Sequence, residues 1–326
     1  MLPVGDIIFK EDGDPTVTNI RFDGQSVIVT GAGRGLGRAY AREFARRGAD
    51  VVVNDIDPDS ASAVVEEITL AGGQATAAPY SVATTNGAAN TVDAAMRRVG
   101  RVDVLVNNAG ILRTGYLADL TEDDIDDVID VHLRAAFRMT RLVWPHMTAR
   151  GYGRVIMTSS ASGMFSHQGL SSYAAAKAGL YGLTKALAFE GRERGINVNA
   201  ILPNATTPAT ETANIPDMAE YFAQYIKNPV SVPEWRWHPA TVAALVAYLA
   251  SIQCECTGEA FSAVEGRYAR VFVGVANGWL APDETAVSAE NIADHFSMIQ
   301  DINVHGVPMW LYDEFVDIGE RLRPAG

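Results

Sequence analysis

Thr30-Gly31-Ala32-Gly33-Arg34-Gly35-Leu36-Gly37 is the stretch on which the reading of this chain turns. It follows a β-branched run, Ser26 to Thr30. It opens a segment in which Leu36, Tyr40, Phe44 and Ala45 recur at helical spacing until Gly48 supplies a stop. A strand that passes through glycines into a helix must turn sharply, and it aims the first backbone N–H groups of that helix at whatever anion sits there, a pyrophosphate for example. The glycines do not fit Gly-x-Gly-x-x-Gly from either Gly31 or Gly33; the spacing that fits is Gly31-x-x-x-Gly35-x-Gly37. A glycine cluster alone is equally a plain turn. Its place between a strand and a helix is what favours a phosphate cradle.

Working outward, further β-branched runs (Val51 to Asn54, Val102 to Val106, Arg154 to Thr158, Asn197 to Ile201) alternate with helical stretches near residues 60–71, 88–99, 122–148 and 171–190. This alternation predicts an α/β fold with a doubly wound, parallel, Rossmann-type sheet over residues 25–266. Residues 1–24 read as a leader and 267–326 as a C-terminal extension carrying Trp279, Trp310 and Tyr312. Residues 204–238 have little regular pattern but contain Met218, Tyr221, Phe222, Tyr225, Trp235 and Trp237, as expected of a substrate lid.

Composition narrows the partners. The 326 residues carry a formal charge of −13, which repels nucleic acid in the absence of a basic stripe; the densest basic pairs are Arg46-Arg47 and Arg97-Arg98. The longest mostly apolar run, Ala240 to Ala250, is too short to span a membrane. Met1 to Asp14 lacks the pattern of a secretory signal. The six histidines (132, 146, 167, 238, 295, 305) show no ligand spacing, so no metal is expected. Cys254 and Cys256, at i and i+2, are poorly placed to bridge and read as reduced core thiols of a cytoplasmic protein.

Asp55 follows the second strand. A carboxylate there can accept both hydroxyls of an adenosine ribose and repel a 2′-phosphate, selecting NAD over NADP; Arg34 pulls the other way. The alternative for Asp55 is a helix cap near Pro58 to Ser60. Tyr173-Ala-Ala-Ala-Lys177 puts two side chains one helical turn apart, and Ser160 lies just past the strand that ends at Thr158. Strand end and helix start converge at the carboxyl edge of the sheet, where open α/β folds bind ligands. Tyr-x-x-x-Lys alone is often a surface pair. Here it comes with Ser160, Asn107-Asn108-Ala109-Gly110 and the cradle.

As a set, these motifs resemble the short-chain dehydrogenase/reductase family over about residues 25–266. The resemblance implies a secondary-alcohol dehydrogenase with Tyr173 as general acid/base, Lys177 lowering its pKa and holding the nicotinamide ribose, and Ser160 orienting the substrate oxygen. It implies NAD held by Gly31, Arg34, Gly35, Leu36, Gly37, Asp55, Ser81, Val82, Asn108, Ala109, Gly110, Tyr173, Lys177, Pro203, Asn204 and Thr206. It also implies a homodimer or homotetramer paired through the helices near 122–148 and 171–190. Two positions depart from the common pattern. Ser81 stands where Asp is usual, and His132 stands where Asn completes a water relay to the lysine. His132, Val51 to Asp55, Met157 to Gly163 and Pro203-Asn204-Ala205 are similar to the (3R)-hydroxyacyl-CoA dehydrogenase domain of multifunctional β-oxidation enzymes. Three functions follow: oxidation of a (3R)-hydroxyacyl-CoA, oxidation of a hydroxysteroid or other cyclic alcohol, or a nucleotide-binding sensor without catalysis. Lys227 and Arg236 are candidate contacts for a CoA phosphate.

Overall fold

The computed structural model describes residues 19–208, 215, 233–303, 305–309 and 312–322. Its contacts divide into two compact units, with the division between Arg270 and Val271.

The first unit holds a sheet in the order β3-β2-β1-β4-β5-β6-β7-β8. The strands are β1 Ser26–Thr30, β2 Asp50–Asn54, β3 Gln74–Ala78, β4 Val104–Asn107, β5 Gly153–Thr158, β6 Ile196–Asn204, β7 Ala260–Val264 and β8 Arg267–Val271. Pairing is parallel from β3 through to β7. β8 follows β7 through Glu265-Gly266, both with positive φ, a two-residue turn that only an antiparallel neighbour can use. The chain order reverses between β1 and β4, and the cleft above their carboxyl ends is where such sheets take ligands.

The helices are α1 Gly35–Arg46, α2 Pro58–Leu70, α3 Thr85–Val99, α4 Glu122–Ile129, α5 Ala135–Arg150, α6 Ser171–Gly191 and α7 Pro239–Ala250. Both faces of the sheet are covered, which is why β1 and β4 are buried at every position and carry unbroken apolar runs, Val27 to Val29 and Val104 to Val106, rather than alternating. Val27 and Val29, Val51 and Val53, Val104 and Val106 turn the same way at period two. They meet Tyr40, Phe44, Val64, Ile68, Val242 and Val246 from α1, α2 and α7. Phe22 packs edge-on against Phe44 with centroids 4.9 Å apart, so truncating either ring costs about 3–5 kcal/mol.

Three findings differ from the sequence reading. The long helix near 122–148 is α4 and α5 joined by a π-helical turn, Asp130–Arg134, with His132 inside it. The sheet extends past Gly266 into β8. Cys254 and Cys256 are free, but their sulfurs face each other at 3.2 Å.

The second unit has a two-stranded antiparallel ladder, β9 Val275–Ala276 with β10 His305–Gly306, and short helices α8 Ala289–Asp294, α9 Phe296–Ile299 and α10 Asp313–Arg321. Trp279 stacks on His295 at 4.2 Å. Trp310 lies outside the described residues.

Candidate active site

The glycines of the first loop are sterically required. A Cβ on Gly37 would lie 2.1 Å from the Gly31 carbonyl oxygen, and one on Gly31 would lie 2.8 Å from Ala109 Cα. Gly35 sits at φ +55, which side chains rarely adopt. α1 begins at Arg34 with no side-chain cap and no acidic residue in its first turn, so its leading N–H groups are left for an anion. Thr30 ties the loop to β4: its hydroxyl accepts from the amides of Asn108 (2.9 Å) and Ala109 (3.0 Å). The Asn108 side chain donates back to the carbonyls of Thr30 (2.8 Å) and Gly31 (3.1 Å).

Asp55 supports this loop as well as facing it. Its Oδ2 accepts from the Gly33 amide at 2.9 Å, and its Oδ1 accepts from the Asp57 amide at 3.1 Å. The helix-capping carboxylate is Asp57, which accepts from the Asp59 amide. Asp57 lies below the usual carboxylate range, mainly because Ser60 donates to it, with Arg34 a smaller contributor. The Asn54 side chain donates to the carbonyls of Ala78 and Tyr80, fixing the turn that leads to Ser81 and Val82. These features fit a dinucleotide: a cradle that any Cβ would fill, an uncapped helix start, and a carboxylate at the end of the second strand.

Beyond the cradle, β5 and α6 bring the chemistry together. Ser160 stands against the Tyr173 phenol and favours its ionised form. Lys177 is 3% exposed. Its Nζ donates to the Thr158 carbonyl at 2.5 Å and lies 5.5 Å from the centre of the Tyr173 ring. The short 3-10 turn Ala161–Gly163 that follows β5 can lie this close to α6 because Gly163 has no side chain; a Cβ there would be 2.7 Å from the Ala178 amide. His132 meets the Tyr173 ring edge-to-face, with centroids 5.2 Å apart. Its Nε2 lies 2.7 Å from the Ile111 carbonyl and 3.1 Å from the Ile111 amide, so one backbone residue meets this nitrogen with both an acceptor and a donor. Nδ1 and Thr158 Oγ1 are both buried without a protein partner. Both residues line a cavity of about 10 Å³, with room for one water, together with Thr30, Asn107, Val82 and Leu180.

The electrostatics differ from expectation. Burial raises the Tyr173 pKa, and Ser160 offsets only part of this. Burial also pulls Lys177 down to about 7. Lys177 directs its amine at Thr158 rather than at the phenol, so in the protein alone it does not acidify Tyr173. His132 is held well below its ordinary value by burial and then by Lys177, against the Ile111 hydrogen bond, and stays neutral.

A model of the short chain dehydrogenase family matches residues 25–219. The chain belongs to that family. As a short-chain dehydrogenase it is an oxidoreductase acting on CH–OH with a nicotinamide cofactor. It is 43% identical to the mouse (Mus musculus) peroxisomal multifunctional enzyme type 2 over 76% of this chain and 32% of that protein. It thus spans about a third of the length of that relative. Among solved structures, a short chain dehydrogenase from Mycobacterium avium is 35% identical, with a TM-score of 0.70, over 88% of this chain and 99% of that one. A 7α-hydroxysteroid dehydrogenase complexed with NADH and 7-oxo glycochenodeoxycholic acid is 31% identical, with a TM-score of 0.69, over 81% and 99%. Among the described residues no helix is long and apolar enough to cross a membrane, and no group of three or more metal-ligating side chains gathers.

Of the lid, Pro203, Asn204 and Thr206 lead out of β6, and the Thr206 amide donates to the Trp237 carbonyl at 2.9 Å, so the two ends of the segment meet. Met218, Tyr221, Phe222, Tyr225 and Lys227 lie outside the described residues. Arg236 donates to the Glu265 carbonyl at 2.7 Å and stacks on Trp235. Sequence reasoning missed Thr207, which stands over the cradle: a methyl on Gly35 would come within 3.3 Å of its Cβ. No spacing signal marks it, because it comes from a loop far along the chain.

Proposed function

We propose that this short-chain dehydrogenase uses NAD to interconvert a secondary alcohol and a ketone on a bulky hydrophobic substrate, a (3R)-hydroxyacyl-CoA. The observation that carries the reading is the gathering of Ser160, His132 and buried Lys177 against the Tyr173 phenol, at the carboxyl edge beside the glycine cradle.

The nicotinamide, when bound, supplies the hydride acceptor and a positive charge. Gly31, Gly35, Gly37 and the start of α1 would hold the pyrophosphate, Asp55 the adenosine ribose, Ser81 and Val82 the adenine, and Asn108 to Gly110 with Pro203 to Thr206 the nicotinamide half. Asp55 and Asp57 together make the ribose pocket hostile to a further phosphate, which supports NAD. Tyr173 removes the proton from the substrate hydroxyl. Ser160 donates to the same oxygen and holds it in reach. Lys177, whose ammonium is costly in this site, positions the ribose and refills the phenol's proton. His132 holds at Nδ1 a water that links it to the lysine side of the site. A burial-depressed lysine and a tyrosine held against a serine have no use in a non-catalytic sensor.

The acyl-CoA assignment rests on His132 and the local similarity to multifunctional β-oxidation enzymes, together with the mouse relative. The hydroxysteroid reading is favoured by the structural neighbour with a bile-acid ligand and is the alternative. Exposed Phe137 on α5 and Phe189 on α6 support pairing of two copies through these helices. Turnover with NAD over a panel of (3R)- and (3S)-hydroxyacyl-CoAs and hydroxysteroids decides the substrate. Preference for a steroid, or for the 3S series, would overturn the proposal. Tyr173→Phe should abolish turnover while NADH binding, read by fluorescence, persists; full turnover in that variant would remove the dehydrogenase mechanism itself.

A further inference from the structure

Cys254 and Cys256 are the only cysteines of the chain and stand in the connection between α7 and β7. Only Glu255 separates them, yet their sulfurs are 3.2 Å apart. The backbone here is pinned. Asn197 Nδ2 donates to the Cys254 carbonyl at 3.2 Å and Asn199 Nδ2 to the Cys256 carbonyl at 2.8 Å. The Cys254 amide donates to the Ser251 carbonyl. Two amides from one face of β6 therefore hold both cysteines in the arrangement that brings their sulfurs into contact. Cys254 is buried and Cys256 partly exposed. The Cys256 thiol donates to Cys254, lowering it to about 7, with a smaller pull from the Arg154 guanidinium; Cys256 is pushed up in turn, so the pair shares one proton. A metal is disfavoured, because among the described residues no third ligating side chain gathers with the two sulfurs.

We propose that Cys254 and Cys256 form a reversible intrachain disulfide when a hydroperoxide reaches the α7–β7 connection, which makes this loop a redox-modification site separate from the candidate active site. Cys256, the more accessible sulfur, passes its proton across the contact to Cys254 and attacks one peroxide oxygen. The O–O bond breaks, and the departing hydroxide (alkoxide for an organic peroxide) takes the proton from Cys254. The Cys254 thiolate then attacks the Cys256 sulfenic sulfur, the S–S bond forms, the S–O bond breaks, and hydroxide leaves to be protonated by solvent. The two sulfurs lose two electrons and the peroxide gains them. Asn199 lies five residues before Asn204 on β6, so the pair is roughly 16 Å down the strand from the site end. The proposal does not depend on the substrate.

The test uses the full chain treated with hydrogen peroxide. Both thiols should disappear together, the intact mass should fall by two hydrogens, the chain should remain monomeric on a non-reducing gel, and dithiothreitol should restore both thiols with dehydrogenase turnover unchanged. In Cys254→Ser the remaining thiol should react about tenfold more slowly, since it loses the partner that shares its proton. Cys256→Ser should gain oxygen atoms instead of closing a ring. Addition of oxygen to one sulfur of the wild type while the other stays titratable, an interchain dimer, or survival of both thiols in the folded chain but not in denaturant would each overturn the proposal.

Discussion

Gly110 and His132 are steric complements: a Cβ on Gly110 would lie 2.3 Å from His132 Cε1. The glycine of the Asn-Asn-Ala-Gly stretch therefore does not serve a turn; it leaves the space in which the imidazole stands edge-on to Tyr173. Gly110→Ala should push the ring off the phenol and lower kcat about 10- to 100-fold with little change in global stability. His132→Ala opens that space, so adding Gly110→Ala to it should have almost no further effect. Steady-state kinetics on the double-mutant cycle check this, and additive losses would separate the two residues.

His132 stays neutral through the working range, because burial and then the Lys177 charge hold its pKa well below 6.5. His132→Asn should accordingly change kcat without removing either limb of the pH–rate profile. Loss of a limb near neutrality in that variant would mean that the imidazole titrates during turnover.

Lys177 gives a stability prediction with a definite sign. Its folded pKa of about 7 lies below the free value of 10.5. Below about pH 7 the fold carries the full penalty of a buried ammonium. Between there and 10.5 the unfolded chain binds more protons, so stability climbs with pH; above 10.5 the penalty is gone. Lys177→Met should abolish turnover yet raise the unfolding free energy of the cofactor-free protein, by about 1 kcal/mol or more near pH 6 and by progressively less toward pH 10. Thermal unfolding of both proteins across pH checks it; a gain independent of pH would assign the effect to packing.

Asp55 holds the Gly33 amide while facing the ribose pocket. Asp55→Ala removes the negative charge and frees Arg34 for a 2′-phosphate. The ratio of kcat/KM for NADP over NAD should rise about 10- to 100-fold, the scale of one or two hydrogen bonds to a charged group. If the unaltered protein already favours NADP, the carboxylate has another role.

The parallel sheet was readable wherever a strand was β-branched and fully buried, as in Val51-Val52-Val53 or Val104-Leu105-Val106. It was not readable at β3, Gln-Ala-Thr-Ala-Ala, where alanines at the sheet edge give weak β propensity, nor at β7, Ala-Phe-Ser-Ala-Val. Tyr173, Lys177 and Ser160 could be placed together because helical spacing and strand ends fix them. The direction of the Lys177 amine could not, since it depends on the carbonyl of Thr158 on another element. The facing sulfurs of Cys254 and Cys256 were hidden for a similar reason: side chains at i and i+2 meet only because two β6 asparagines bend the loop between them.

The π-helical turn at Asp130–Arg134 amounts to one surplus residue in an otherwise continuous helix. Each residue of an α-helix advances the rotation by about 100°. Excising a single amino acid from this turn would let α4 and α5 join as an unbroken rod, reorienting His132 away from Tyr173 while hydrogen bonding along the helix improved. A one-codon deletion here would thus leave the oxidoreductase sturdier and idle.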